Sequence, residues 1–126
     1  MQHPAQYAVH LLSRFKQAAK VRGIPHVPIQ LQHGDFLKSL EVRSTLATAG
    51  VVYMNNPKFG PELDSKVLEQ LCPVLEKGCK LVCFESLIGT RGYWNFCMRY
   101  VTSFDCVKGS VSWYGNSVRL HVVEKL

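Results

Sequence analysis

Acidic residues are missing from the first 34 positions of this chain, long apolar runs are missing throughout, and no two cysteines are spaced as Cys-x-x-Cys. Each absence excludes something. Without about 20 consecutive apolar residues no helix spans a bilayer, so a membrane is not an expected partner. The first 13 residues lack a basic head followed by an apolar stretch, which argues against a secretory signal. The acid-free start, carrying Arg14, Lys16, Lys20 and Arg22, has the charge of a mitochondrial transit peptide. Its serine content is low, however, and its pattern suits a domain helix. The five cysteines, Cys72, Cys79, Cys83, Cys97 and Cys106, are odd in number and do not describe a disulfide framework. Cys79 and Cys83 on one strand would lie roughly 13 Å apart, too far to bridge. With the histidines scattered, no metal site is expected. Free thiols fit a reducing compartment, cytosol or nucleus.

What is present suits one domain with one core: 126 residues, 47% apolar and 19% charged. The net charge is +6, from 15 basic and 9 acidic residues. The excess gathers at the two ends, in residues 1–34 and again at Arg91, Arg99, Lys108, Arg119 and Lys125 against Asp105 and Glu124. A basic balance favours polyanionic partners through counterion release. A solvated surface explains the same charges, since no dense basic run occurs.

Apolar residues at three- and four-residue steps, from Tyr7 and Ala8 through Leu11, Leu12 and Phe15, predict a helix over 4–21, stopped by Gly23 and Pro25. Residues 27–32 read as a short strand, 36–47 as an irregular or helical piece, and 51–55 as a buried strand. A second helix is expected over 61–77, with Glu62 and Asp64 in its first turn and Pro73 ending its regular part early. A buried strand over 79–85 follows, then a loop over 86–100, and two strands, 104–112 and 118–123, flanking a hairpin turn at Tyr114-Gly115-Asn116-Ser117. That order is the back portion of a doubly wound α/β sheet ending in an antiparallel hairpin.

Three stretches carry candidate chemistry. In Val51-Val52-Tyr53-Met54-Asn55-Asn56-Pro57-Lys58-Phe59-Gly60-Pro61-Glu62 an apolar strand ends in two amides and enters a Pro-Glu helix start. Open α/β sheets place ligands at such strand ends. A polar strand end with Phe59 stapled onto the helix is the structural alternative. Upstream, Gly34-Asp35-Phe36-Leu37 offers an acceptor-only carboxylate beside an aromatic face. A helix cap at Asp35 and a core ring at Phe36 would explain the same residues. Downstream, Lys108-Gly109-Ser110-Val111-Ser112-Trp113 sets an indole that could line a channel or fill the core of an edge hairpin.

Together these stretches resemble the Dot1 family, the non-SET histone lysine methyltransferases acting on the core of histone H3. The resemblance runs from about Pro4 to Val123. It implies that Asp35 meets the adenine amino group of S-adenosylmethionine and that Phe36 stacks on the adenine. It places Asn55 near the methyl donor and the mouth of a lysine channel, Phe59 beside the cofactor, and Trp113 in the channel wall. The implied fold is part of a Rossmann-like class I methyltransferase sheet, with helices on its faces. The implied partners are the nucleosome, through histone H3, and DNA through the basic surface, which places the protein in the nucleus.

Several positions depart from that pattern. Leu120 stands where the family has a channel tyrosine, Pro57 and Lys58 replace an aromatic and a small residue, and the span from Asn95 to Lys108 is short. The family's glycine-rich cofactor turn, roughly Asp-Leu-Gly-Ser-Gly-x-Gly, has no counterpart in these 126 residues. The expectation is therefore a single N-terminally truncated methyltransferase domain over 1–126, lacking two central strands and inactive alone. The alternatives are a non-catalytic chromatin-binding domain derived from a methyltransferase, or a small Rossmann-like methyltransferase with a non-histone substrate.

Overall fold

The computed structural model describes residues 3–85 and 97–126. It divides into two compact units, Met1–Asp35 and Phe36–Leu126. The first unit is built on α1 (Pro4–Arg22). Pro4 occupies the first turn, where a missing N–H costs nothing, and the His3 side chain accepts from the Ala5 amide. Gly23 takes the left-handed conformation (φ 64°), and the amides of Gly23 and Ile24 return to the carbonyl of Ala19. The segment that follows touches α1 through the ring pairs Phe15–His26 and His3–His33.

Residues 27–32, expected as a strand, form none. Alternating Val27, Ile29 and Leu31 supply β propensity, but a strand exists only by pairing its N–H and C=O groups with a neighbour. This segment belongs to no sheet, and all three side chains are exposed.

The second unit carries α2 (Leu40–Leu46), β1 (Val51–Met54), α3 (Gly60–Gln70), β2 (Lys80–Cys83), β3 (Met98–Asp105) and β4 (Arg119–Lys125). Ser39 caps α2 by accepting from the Val42 amide. A 3₁₀ turn at Cys72–Val74 follows α3, so Pro73 does end the regular helix early. The sheet order is β1-β2-β4-β3. β1 and β2 are parallel and joined by α3, while β4 runs antiparallel to both of its neighbours.

Two strand expectations need correction. β1 is an edge strand rather than a buried one, with Val51 65% and Tyr53 57% exposed. Only the face carrying Val52 and Met54 packs on the core. The strand expected over 104–112 lies earlier, at Met98–Asp105, and takes residues 98–100 from the expected loop. Its pairing with β4 extends from Met98↔Lys125 to Asp105↔Arg119, and this long ladder outweighs the local turn signal at Tyr114–Ser117. The pair forms the antiparallel edge expected of the last two strands, with β4 beside β2 and β3 outermost. The rest of the expected loop, including Arg91, lies outside the described residues.

The core joins the end of α3 and its 3₁₀ turn to the sheet: Leu68, Cys72, Leu75, Cys79, Leu81, Cys83, Met98 and Val123. All five cysteines are free thiols. No helix among the described residues is long and apolar enough to cross a membrane. Burial pushes the Cys72 thiol from an ordinary 9.0 up to about 12. Cys72 should therefore resist thiol reagents at neutral pH until the protein unfolds, as timed labelling would show. Because the folded state holds this proton more tightly, its contribution to stability is intact below pH 9.0 and is lost as pH rises toward about 12. Denaturation midpoints measured across that interval test the sign.

Candidate functional site

The site is assembled where β1 ends. Side chains alternate along a strand, so Asn56 falls in phase with inward-facing Val52 and Met54, and Asn55 falls in the opposite phase. Asn56 is 0% exposed. Its Oδ1 accepts from the backbone amides of Phe84 (3.0 Å) and Glu85 (3.1 Å), immediately after β2. Its Nδ2 donates to Asp64 Oδ1 at 3.2 Å and, at 3.5 Å, to the Glu85 carbonyl. Two amide donors on one side and a carboxylate on the other leave the Asn56 amide a single sensible orientation. One side chain thus ties the exit of β1, the exit of β2 and the first turns of α3.

The turn from β1 into α3 closes when the Phe59 amide donates to the Asn56 carbonyl at 3.2 Å. Gly60 then adopts φ 74°, so glycine is required there for the backbone even though space for a side chain is open. The turn brings the Phe59 ring near-parallel to that of Phe36, with centroids 6.1 Å apart and planes 22° apart. Both rings line an apolar cavity of about 340 Å³ with Val42, Leu46, Val67 and Leu71.

On the other side, Phe84 stands edge-to-face with Tyr53 (6.0 Å, 75°) and with Trp113 (5.6 Å, 74°). Trp113 sits on a short turn closed by the Val111–Tyr114 bridge rather than within a strand. The excursion that carries it is pinned at its root, where the Cys106 amide donates to the Val118 carbonyl at 2.8 Å. Beside that root Arg119 makes two hydrogen bonds to Asp105, at 2.8 and 3.0 Å. They hold the Asp105 carboxyl below its usual range, though both partners are exposed and the pair adds little stability. Trp113, Tyr114, Phe84 and Glu85 line a second, open cavity of about 770 Å³.

Asn55 lines both cavities. Of the residues expected from sequence, Phe36, Phe59 and Asn55 thus share one cavity, and Asn55 and Trp113 share the other. Asp35 is exposed and is the last residue of the first unit, with which it is described. Sequence reasoning passed over Asn56 and Phe84. Strand parity could have found Asn56, since the residue two beyond Met54 must point inward. Nothing in the sequence marks Phe84, whose contacts come from other segments.

A family model described as histone methylation protein DOT1 matches residues 1–123, nearly the whole chain. The chain belongs to the DOT1 family. It is similar to proteins named histone-lysine N-methyltransferase, H3 lysine-79 specific, from three organisms. The Emericella nidulans protein is 31% identical over 88 residues, covering 70% of this chain. The Aspergillus fumigatus protein is 29% identical over 76 residues, covering 60%. The Drosophila melanogaster protein is 30% identical over 138 residues, covering 97%. The chain spans 17%, 15% and 7% of the lengths of these relatives, respectively.

Replacing Asn56→Ala would leave two partly buried amides and the buried Asp64 carboxylate without this partner, and should cost about 2 kcal/mol in denaturant unfolding. Exchanging the two groups, Asn56→Asp with Asp64→Asn, restores a donor–acceptor pair and should recover more than half of the loss of Asn56→Asp alone. Gly60→Ala should cost about 1 kcal/mol, purely through the left-handed backbone, in the same measurement.

Proposed function

We propose that this chain forms part of a Rossmann-like catalytic domain of Dot1 type, which transfers a methyl group from S-adenosylmethionine to a lysine amine of nucleosomal histone H3. The observation that carries this reading is the position of Asn55, which borders the Phe36–Phe59 cavity on one side and the Trp113 cavity on the other. A methyltransferase needs such a junction, with donor and acceptor entering from opposite sides of one polar group. The sheet order supports the fold: a parallel β1-α3-β2 unit followed by one reversed strand inserted beside β2. We read residues 1–126 as a portion of that domain.

The donor-side residues fit an adenine. Centroids 6.1 Å apart let a base stack on one ring, or between both if they part by roughly 1 Å. Phe36 and Phe59 would hold the base by stacking. When bound, S-adenosylmethionine supplies an electrophilic methyl group on a sulfonium centre. Asn55 offers neutral hydrogen-bonding groups there, adding no fixed charge beside the cationic sulfur. On the acceptor side the amine must be neutral to attack, yet a free lysine has a pKa of about 10.4. The aromatic wall of Phe84 and Trp113 disfavours the ammonium form and restricts the approach of the nitrogen. The net charge of +6 suits contact with the DNA of a nucleosome, and a chromatin substrate implies a nuclear location.

Labelled S-adenosylmethionine and recombinant nucleosomes test this reading in a polypeptide that joins the chain to a glycine-rich donor turn. Label is expected on an H3 lysine, and Asn55→Ala should reduce it about 100-fold. Calorimetry on the 126-residue chain alone should show only weak cofactor binding, because its cavity grips one end of the cofactor. Nucleosome binding without methylation in the joined polypeptide would favour a non-catalytic chromatin-binding domain, the reading that Leu120 in place of a hydroxyl-bearing residue supports.

A further inference from the structure

We propose that the 126-residue chain pairs with a second copy of itself by strand exchange, residues 27–32 of each copy adding to the open edge of β1 in the other. The pairing needs neither the methyl donor nor catalysis.

Two unmatched parts of the same chain carry it. β1 ends the sheet, so one side of its backbone has no neighbouring strand. Residues 27–32 alternate Val27, Ile29 and Leu31 with Pro28, Gln30 and Gln32, which is strand patterning, yet they belong to no sheet. Val27, Ile29 and Leu31 are all exposed.

The backbone phases of the two parts match. The N–H and C=O of one strand residue point to the same side, and successive residues alternate. The Lys80 amide donates to the Gly50 carbonyl at 3.0 Å. Gly50, Val52 and Met54 therefore turn their backbone groups toward β2, and Val51 and Tyr53 turn theirs to the open edge. In residues 27–32 proline decides the phase. Pro28 has no N–H, so it fits a strand only with its backbone facing away from the neighbour. Gln30 shares that outward phase, which leaves Ile29 and Leu31 to face the partner. Val27 has the same inward phase, but its carbonyl is already taken by His26 Nδ1 at 3.0 Å. Ile29 and Leu31 thus meet Val51 and Tyr53, with about four hydrogen bonds in each ladder.

Charge and symmetry select a copy of this chain as the occupant. Exposed edges are ordinarily guarded by charged side chains or bulges. Residues 27–32 and 49–56 contain no Asp, Glu, Lys or Arg, and β1 pairs with β2 without a register shift. No charge is desolvated when the two segments meet, and the basic excess of the chain lies outside both. The strand that fits this edge is uncharged and has its proline in the outward phase, and every copy carries one. Exchange about a two-fold axis satisfies both edges at once and closes the assembly at two copies. Pro28 then faces outward along each new edge and blocks further addition.

The ladders are short, so a dissociation constant on the order of 10 μM is expected. Sedimentation velocity across that concentration should show the mass rise from 14.2 kDa to twice that value and stop there. Leu31→Pro removes an amide from the partner-facing phase and should weaken the dimer at least about 10-fold. Gln30→Pro, one residue away in the outward phase, should leave it intact. Both positions are exposed, and circular dichroism should show both variants folded. Amide exchange followed by NMR supplies a second readout. Val51 and Tyr53 should gain protection as the dimer forms, whereas Val52 and Met54, which face β2, should be protected at every concentration. A monomer throughout would overturn the proposal. So would a dimer indifferent to Leu31→Pro, equal weakening by the two proline variants, or growth beyond two copies. Methyl transfer by the joined polypeptide described above, without self-association of this chain, would leave the proposed function standing and remove this inference alone.

Discussion

The buried amide of Asn56 is the constraint on which the site depends. A polar side chain with no exposure is tolerated only when its donors and acceptor are matched, and here the partners come from two other elements. Because those partners are backbone amides after β2 and a carboxylate on α3, satisfying Asn56 also fixes where each element ends. The neighbouring side chains inherit that precision. Asn55 is turned outward by strand parity, Phe84 is held against Trp113, and Phe59 is carried round to face Phe36. A polar contact inside the sheet thus sets the geometry of two cavities outside it.

The core beneath the clamp is asymmetric. Leu68, Cys72, Leu75, Leu81 and Val123 pack where α3 crosses β2 and β4, whereas β1 shows one face and one edge to solvent. The better-packed half supplies rigidity to the ends of β1 and β2. The exposed half is where ligand-facing groups can stand without being consumed by packing. The thiols belong to the packed half: Cys72, Cys79 and Cys83 act as small apolar groups, and burial raises the first two toward inert protonated forms.

The residues that name the family are short-range and chemically distinctive: Gly34-Asp35-Phe36, Asn55-Asn56 before a Pro-Glu helix start, and the Ser-Val-Ser-Trp segment ending at Trp113. Their legibility comes from local causes. Pro4, Gly23, Pro61 and Pro73 mark helix boundaries through φ preference and missing donors, and α1 and α3 start near the positions expected from them. Patterning alone failed where pairing decides. Residues 27–32 have strand character without a partner, and the strand before β4 was displaced to Met98–Asp105 because a continuous ladder outweighs a hairpin-like tetrapeptide.

Linear order was therefore enough for the helices, the parallel β1-α3-β2 unit and the absence of a disulfide framework. Each of these follows from stereochemistry within a few residues or from composition. It could not reveal which asparagine is buried, that Phe84 joins Trp113, or that Asn55 borders two cavities. Those facts arise from contacts between segments about 30 residues apart, and a one-residue change of strand phase would reverse them. The folded chain chose one phase because only that phase matches the donors and acceptor of Asn56 while placing Val52 and Met54 on the core.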